Sequence, residues 1–500
     1  MSGAALTATA ATVTLSPLDN VQGAVDINPA GTSFVLRSGI YRETSLVFTK
    51  DGDSLIGQPG AIMDGSKVLS RWTKVSIGGV DYWTTAGGKP LLTPPCGAPA
   101  SCCFDGYPGC SYVQNLYVDN IDYKHVTSLA DVSAGPVSAG PAWYYDFEGI
   151  DGGTRNSIYL AGATNPNSHL VELSDKAWAV RGPAARITIK NLIVEKYAAP
   201  IQDAAVQAEG SYWLIQNNEV RLNHGIGIAA KRGGDNVRVL GNRVHHNGQM
   251  GLSVGGANRG LWDSNEVAYN NTDHVNTDFE AGGSKFVGDH LTISNNIVHD
   301  NYGPGLWTDA DATYNTYDHN TAYNNFQGGI RYEVSRYGVI TNNTVYGNTQ
   351  NPQIVYTGSD HGRISGNTVT DNGSGAIGVW NIVGTRPRAS GPIYKVVDTQ
   401  VTGNKIRLVG PGNGVVSIGL QDFARPSQPD IFGDPTNFFD HNNYQFPGPT
   451  RPCWHWGETN NVYAPIEWEI WQKEGQDLGG AIISSSVIPS IKAPVLASPR

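Results

Sequence analysis

One spacing dominates this 500-residue chain. From about residue 190 to 410 the pattern Asn, any residue, aliphatic, two residues, Asn recurs. It reads Asn218–Val220–Asn223, Asn242–Val244–Asn247, Asn265–Val267–Asn270 and Asn296–Val298–Asn301, then Asn320–Ala322–Asn325, Asn343–Val345–Asn348 and Asn367–Val369–Asn372. The leading asparagines lie 24, 23, 31, 24, 23 and 24 residues apart. The long step is one repeat plus seven residues, as a loop inserted into one unit would produce. Gly–aliphatic pairs follow the second Asn at Gly251-Leu252, Gly305-Leu306 and Gly329-Ile330.

Short β-prone runs such as Val237–Leu240, Leu291–Ile293 and Val339–Thr341 precede the asparagines, and no long helical period intervenes. A 23–24-residue unit of short strands cannot bury its apolar side alone, but stacked units share one core. The spacing therefore predicts an all-β chain wound as a right-handed parallel β-helix, with asparagines at equal phase stacked as an internal amide ladder. A leucine-rich horseshoe would need a repeated L-x-x-L-x-L frame, which is absent.

The periodicity divides the chain. Residues 1–80 read as an N-terminal cap and first coils, 81–180 as an inserted β-rich region, 181–424 as the central β-helix and 425–500 as a C-terminal cap. Caps are required because an open terminal coil is an unpaired strand edge. Cys96, Cys102, Cys103 and Cys110 crowd one loop of the insert, and Cys453 stands apart. Their spacing favours local disulfides over zinc, and with them a secreted protein, although the N-terminal residues lack the features of a signal peptide. A net charge of −10 disfavours nucleic acid as a partner. No apolar run is long enough to cross a membrane. Neutral or weakly charged ligands suit such an acidic, aromatic-rich surface better. Twelve histidines are scattered without convergent ligand spacing, so no metal site is expected.

Phase arithmetic then locates chemistry. Residues at equal phase in successive coils lie one strand spacing apart, about 4.8 Å. Leu306 and Ile330 are five residues past Asn301 and Asn325 and should point inward. Alternation sends Trp307, Asp309 and Asp311 outward, with Arg331 and Glu333 on the next coil. Asp309 and Glu333 share a phase, which sets two outward carboxyls about 5 Å apart. Retaining glycosidases use a pair at about 5–5.5 Å. Counting back from the next asparagine gives Lys285 the phase of Asp309 on the coil before, with Glu280 at the inserted seven residues. Glu280, Lys285, Asp309 and Glu333 would form one polar stripe, and Trp307 and Trp380 would offer flat faces to sugar rings. No arginine shares the phase of Asp309 or Glu333.

The runs Glu280-Ala-Gly-Gly-Ser-Lys285, Gly305-Leu-Trp307-Thr-Asp309 and Tyr332-Glu333-Val-Ser resemble the active-site coils of β-xylosidase-type β-helix glycoside hydrolases of the pectate-lyase-like superfamily. The resemblance covers about residues 240–350. It implies Asp309 as nucleophile, Glu333 as acid/base and Glu280 as an auxiliary acid of a retaining hydrolase needing no cofactor. Lys285, Trp307, Asp311, Arg331 and Trp380 are the expected substrate contacts. Two alternatives share the fold: a polysaccharide lyase or uronate epimerase with Lys285 as base and Ca²⁺ held by the acids, and a non-catalytic carbohydrate-binding β-helix.

Overall fold

The computed structural model describes residues 11–91, 102–134, 140–149, 154–162, 164–371, 374–382, 394–408, 418–423, 431–446, 453–458 and 466–483. Short strands separated by Asn- and Gly-bearing turns wind the chain into three long parallel sheets, each coil giving one strand to each. Among the described residues the first sheet holds thirteen strands, from Thr12–Leu15 to Phe438–Asp440. The second also holds thirteen, from Gly39–Arg42 to Ala481–Ile483, and the third twelve, from Leu46–Val47 to Trp454–Glu458.

Parallel register makes the core a set of rows. Ile293, Tyr317 and Ile340 pair in sequence in the first sheet, Val298, Ala322 and Val345 in the second, and Leu306, Ile330 and Ile354 in the third. All nine are fully buried. Burying one large aliphatic or aromatic side chain contributes about 1.5–3 kcal/mol, so the stacked coils reinforce what no coil achieves alone.

The asparagines form two ladders. The first climbs from Asn218 through Asn242, Asn265, Asn296, Asn320, Asn343, Asn367 and Asn404 to Asn442. At each rung Oδ1 accepts both the backbone N–H and the Nδ2–H of the asparagine one coil earlier, as Asn265 does for Asn242 at 2.9 and 3.0 Å. Asp477 ends this ladder, accepting from Asn442 N and Nδ2 with one carboxyl oxygen and from the Tyr444 hydroxyl and Trp471 Nε1 with the other. The second ladder runs from Asn223 to Asn348 and ends on Gln353 Oε1. Asn372, expected in it, lies outside the described residues. The ladder also explains the glycines. A Cβ on Gly305 or Gly329 would come within 2.8 or 2.7 Å of the next coil's ladder amide, Asn325 or Asn348 Nδ2.

The 31-residue step is an insertion between the second and third sheets, where Asn271–Glu280 includes the short helix Thr277–Glu280. A larger insertion leaves the same edge two coils into the solenoid. Among the described residues its strands form a separate eight-stranded mixed sheet, from Ser66–Leu69 to Val171–Ser174. The loss of periodicity was expected to open it at 81. Ser66–Leu69 and Thr73–Ile77 look like coil strands, and only their antiparallel partners assign them to the insert. Cys103 and Cys110 form a disulfide there, while Cys96 lies outside the described residues and Cys453 is a buried thiol. At the ends, helix Val21–Ile27 sends Val21 and Val25 into the core, and helix Trp468–Lys473 buries Trp471.

Candidate functional site

Third-sheet strands Gly282–Val287, Leu306–Thr308 and Ile330–Glu333 present the polar stripe. Leu306 and Thr308 face inward, the Thr308 hydroxyl meeting the Tyr317 hydroxyl at 2.6 Å in the core. Alternation therefore turns Trp307 and Asp309 outward. Lys285 Nζ lies 2.8 Å from Asp309 Oδ2 and 3.3 Å from Glu280 Oε1. The Asp309 Oδ1 atom accepts the Ala310 N–H at 2.6 Å. On the next coil Glu333 Oε1 pairs with Arg331 at 2.9 Å, and Glu333 Oε2 accepts the indole N–H of Trp307 at 3.2 Å.

Trp307 brackets the group. Lys285 Nζ sits 4.0 Å from its ring centroid and the Arg331 guanidinium carbon 4.9 Å from it. Such cation–π contacts are worth about 0.5–2 kcal/mol each. They leave the indole 2% exposed, so Trp307 fixes its neighbours and does not form the open sugar platform expected of it. Lys285 and Asp309 are nearly buried, while Glu280 and Glu333 keep side-chain exposures of 27% and 18%, which makes them the groups that reach solvent.

Two details of register differ from the phase count. Phe286 pairs with Thr308, so Lys285 stands opposite Trp307, not opposite Asp309, and its long side chain crosses to the carboxylate. Likewise Arg331 stands two residues before Glu333 on one strand face and still reaches it, so Glu333 has the arginine partner that phase alone denied. Asp311 leaves the stripe. The strand ends at Thr308, and Ala310 and Asp311 adopt positive φ of 60° and 63°, which turns Asp311 into the corner toward the first sheet. Trp380 is half-buried on the row of Glu333, two rungs away through Thr357.

A family model for the right handed beta helix region matches residues 204–372. The fold is a right-handed parallel β-helix. XylC in complex with xylose superposes on this β-helix with a TM-score of 0.59 at 12% identity, covering 96% of this chain and 86% of that one. The A-module of the mannuronan C-5 epimerase AlgE6 of Azotobacter vinelandii reaches 0.48 at 14% identity, covering 94% and 95%. Among curated proteins none matches the sequence. At such identities the likeness is one of fold.

A second polar cluster escaped the phase arithmetic because it belongs to no repeat. Where the insert meets the 271–280 loop, Lys124 Nζ lies 3.0 Å from Asp122 Oδ2 and 3.8 Å from Asp273 Oδ1, and His224 Nδ1 lies 3.0 Å from Asp273 Oδ2. Burial opposes ionisation of Asp273, but the hydrogen bond and charge of His224, with Lys124, hold its carboxyl down at about 2. Burial pushes Asp122 upward, and burial with the charge of His224 lowers His125 to about 3. No group of three or more His, Cys, Asp or Glu among the described residues is disposed to hold a metal ion.

Proposed function

We propose that the chain is a carbohydrate-active enzyme, a retaining glycoside hydrolase whose nucleophile is Asp309 and whose acid/base is Glu333. The observation that carries this reading is the register of two neighbouring strands of the third sheet, with Thr308 opposite Tyr332, so that the next residues, Asp309 and Glu333, carry a short and a longer carboxyl side chain on adjacent rungs whose backbones are about 4.8 Å apart. That spacing falls near the separation retaining enzymes use and below the roughly 6.5–9.5 Å that leaves room for water in inverting ones. The resemblance of these coils to β-xylosidase-type β-helix hydrolases and the fold shared with XylC, which was solved with xylose, support the same substrate class.

In this reading the Asp309 carboxylate attacks the anomeric carbon as the bond to the leaving oxygen breaks, and Glu333 gives that oxygen its proton. Glu333 then takes a proton from water, which displaces Asp309 and restores both groups. Lys285 holds Asp309 Oδ2. Arg331 and Trp307 take one Glu333 oxygen each and so set the plane of that carboxyl. Glu280, on the solvent side of Lys285, supplies the auxiliary acid at the rim.

A panel of aryl glycosides and plant polysaccharides tests the proposal. Asp309→Asn and Glu333→Gln should each abolish hydrolysis with melting temperature unchanged, and proton NMR of the first product should show the substrate's anomeric configuration. Full turnover in either variant, an inverted product, or an unsaturated product absorbing in the ultraviolet with calcium-dependent activity would overturn it, the last in favour of the lyase.

A further inference from the structure

A cavity of ≈ 250 Å³ lies between the insert and the solenoid, lined in part by Tyr107, Tyr112, Lys124, His125, His224 and Asp273. None of Glu280, Lys285, Asp309 or Glu333 lines it. We propose that it is a second, non-catalytic binding site for one neutral sugar ring.

Size comes first. A cavity of about 150 Å³ already holds benzene, and drug-sized ligands take roughly 300–1,000 Å³. The space here suits a single substituted six-membered ring. Two of its walls are flat and apolar. Tyr107 stacks on His274 at 3.8 Å between centroids, and Tyr112 on Phe147 at 5.4 Å, so both rings are held in place from behind. Such faces accept the C–H face of a pyranose.

The polar wall decides the ligand's charge. Lys124 is matched by Asp122 and Asp273, and His224 by Asp273, so the fixed charges are answered inside the protein. Asp131, also on the lining, is an exposed carboxylate that accepts the Ser128 hydroxyl, so no unmatched cation is left here to pair with an anion. Unmet hydrogen-bonding capacity remains. The His224 side chain is 1% exposed and uses Nδ1 on Asn115 and Asp273, while its buried Nε2 has no partner. The buried Nδ1 of His125 also has none. A buried polar atom without a partner costs about 1–3 kcal/mol, a penalty that ligand hydroxyls, which donate and accept, would remove.

The walls are also braced. The Cys103–Cys110 disulfide closes the loop carrying Tyr107, and Cys103 forms a β-bridge with Val275 of the loop that carries Asp273. The site therefore joins two segments that are otherwise far apart in the chain, and a bound sugar would tie them together.

The test uses the full chain with Asp309→Asn and Glu333→Gln together, so that no sugar is turned over. D-Xylose, D-glucose and D-mannose are titrated by calorimetry, with D-glucuronate as the charged probe. At least one neutral sugar should saturate in the millimolar range, with glucuronate at least tenfold weaker. Tyr107→Ala and His125→Leu should each weaken binding at least tenfold. Absence of saturation by every neutral sugar, equal binding of glucuronate, or affinity untouched by both substitutions in folded protein overturns the proposal. If either variant melts below the assay temperature, hydrogen exchange on the parent decides. Slowing over residues 104–126 on adding the saturating sugar supports the site, and unchanged exchange overturns it.

Discussion

Two lysines of this protein sit among carboxylates in nearly the same chemistry and different surroundings. Lys196, where the insert leaves the solenoid, contacts Glu172 at 2.5 Å, Glu195 at 3.5 Å and Asn120 Oδ1 at 2.6 Å, while Arg42 joins Glu172 to Asp64. Lys196, Glu172, Glu195 and Asp64 have side-chain exposures of 2, 1, 6 and 1%. Lys285 contacts Asp309 and Glu280, with Glu333, Arg331 and Trp307 beside them, and there Glu280, Glu333 and Arg331 stay partly open. Of the charged groups in the first cluster, only Arg42 reaches solvent; the lysine and acids are sealed and the acid oxygens are spent on protein partners, so the cluster can only hold the insert to the coil. The second presents carboxyl edges to solvent on an outer face. Composition does not separate the two. Exposure of the acids does.

The largest expected effect comes from exchanging the same substitution between the clusters. Under the proposed hydrolase reading, Lys285→Met should lower glycoside turnover by about 10²-fold or more, the low end of what a positioned catalytic group contributes. The fold should survive, because Glu280 is open to water and Asp309 keeps the Ala310 N–H. Lys196→Met should leave kcat within twofold and lower stability by about 3–5 kcal/mol, the cost of leaving buried carboxylates without their cation. Denaturant melts and steady-state kinetics on both variants measure this. A folded Lys196→Met protein with lost turnover would reverse the assignment of roles.

A sharper version adds Glu172→Leu to Lys196→Met. Replacing a buried pair by apolar groups of similar volume is often neutral or stabilising, so the double variant should recover stability relative to Lys196→Met. The same logic applied to the stripe, Glu333→Leu with Arg331→Met, should restore no turnover. Recovery of activity there would mean that the stripe is structural too.

Much of this was legible because a solenoid turns sequence distance into spatial distance. The Asn period marked both ladders, the step of 31 marked the loop of Asn271–Glu280, and equal phase matched the register of the strands that lead to Asp309 and Glu333. The phase count failed where the backbone stops being periodic. It carried alternation to Asp311 beyond a strand that ends at Thr308. It also treated Lys285 as a rung partner of Asp309, when a long flexible side chain needs no shared rung. The cluster of Asp122, Lys124, His224 and Asp273 joins the insert, one coil and the inserted loop. No spacing rule links them, and only the docking of two bodies does.

Intermediate in size is the ladder itself, the uncharged counterpart of both charged clusters. Asn296→Ala removes an acceptor for Asn265 N and Nδ2 and a donor to the Trp262 carbonyl. The orphaned groups should cost about 1–3 kcal/mol each, read as a shift in urea midpoint, with kcat unchanged. A stability loss confined to the error of the melt would mean that water replaces the amide and that the ladder does not brace the coils.

The smallest effect concerns the third polar cluster, which stands between the sealed and open cases because it is buried yet borders a cavity. Burial, with the charge of His224, lowers His125 to about 3, and burial, with the charge of Lys124, lowers His274 to about 4. In the unfolded chain both return to about 6.5. Between those values the unfolded state binds more protons, so stability rises with pH. It is complete above about pH 6.5 and drains as pH falls toward 4. Asp122, raised by burial, acts with the opposite sign at the acid end of this window. Melting temperature should therefore decline by a few degrees from pH 7 to 4.5. His274→Phe, which keeps an aromatic ring against Tyr107, should flatten that slope, while His319→Phe, on an exposed turn, should not. Equal slopes in the two variants would mean that the insert interface admits water freely, which would place this cluster with the open stripe and not with the sealed root of the insert.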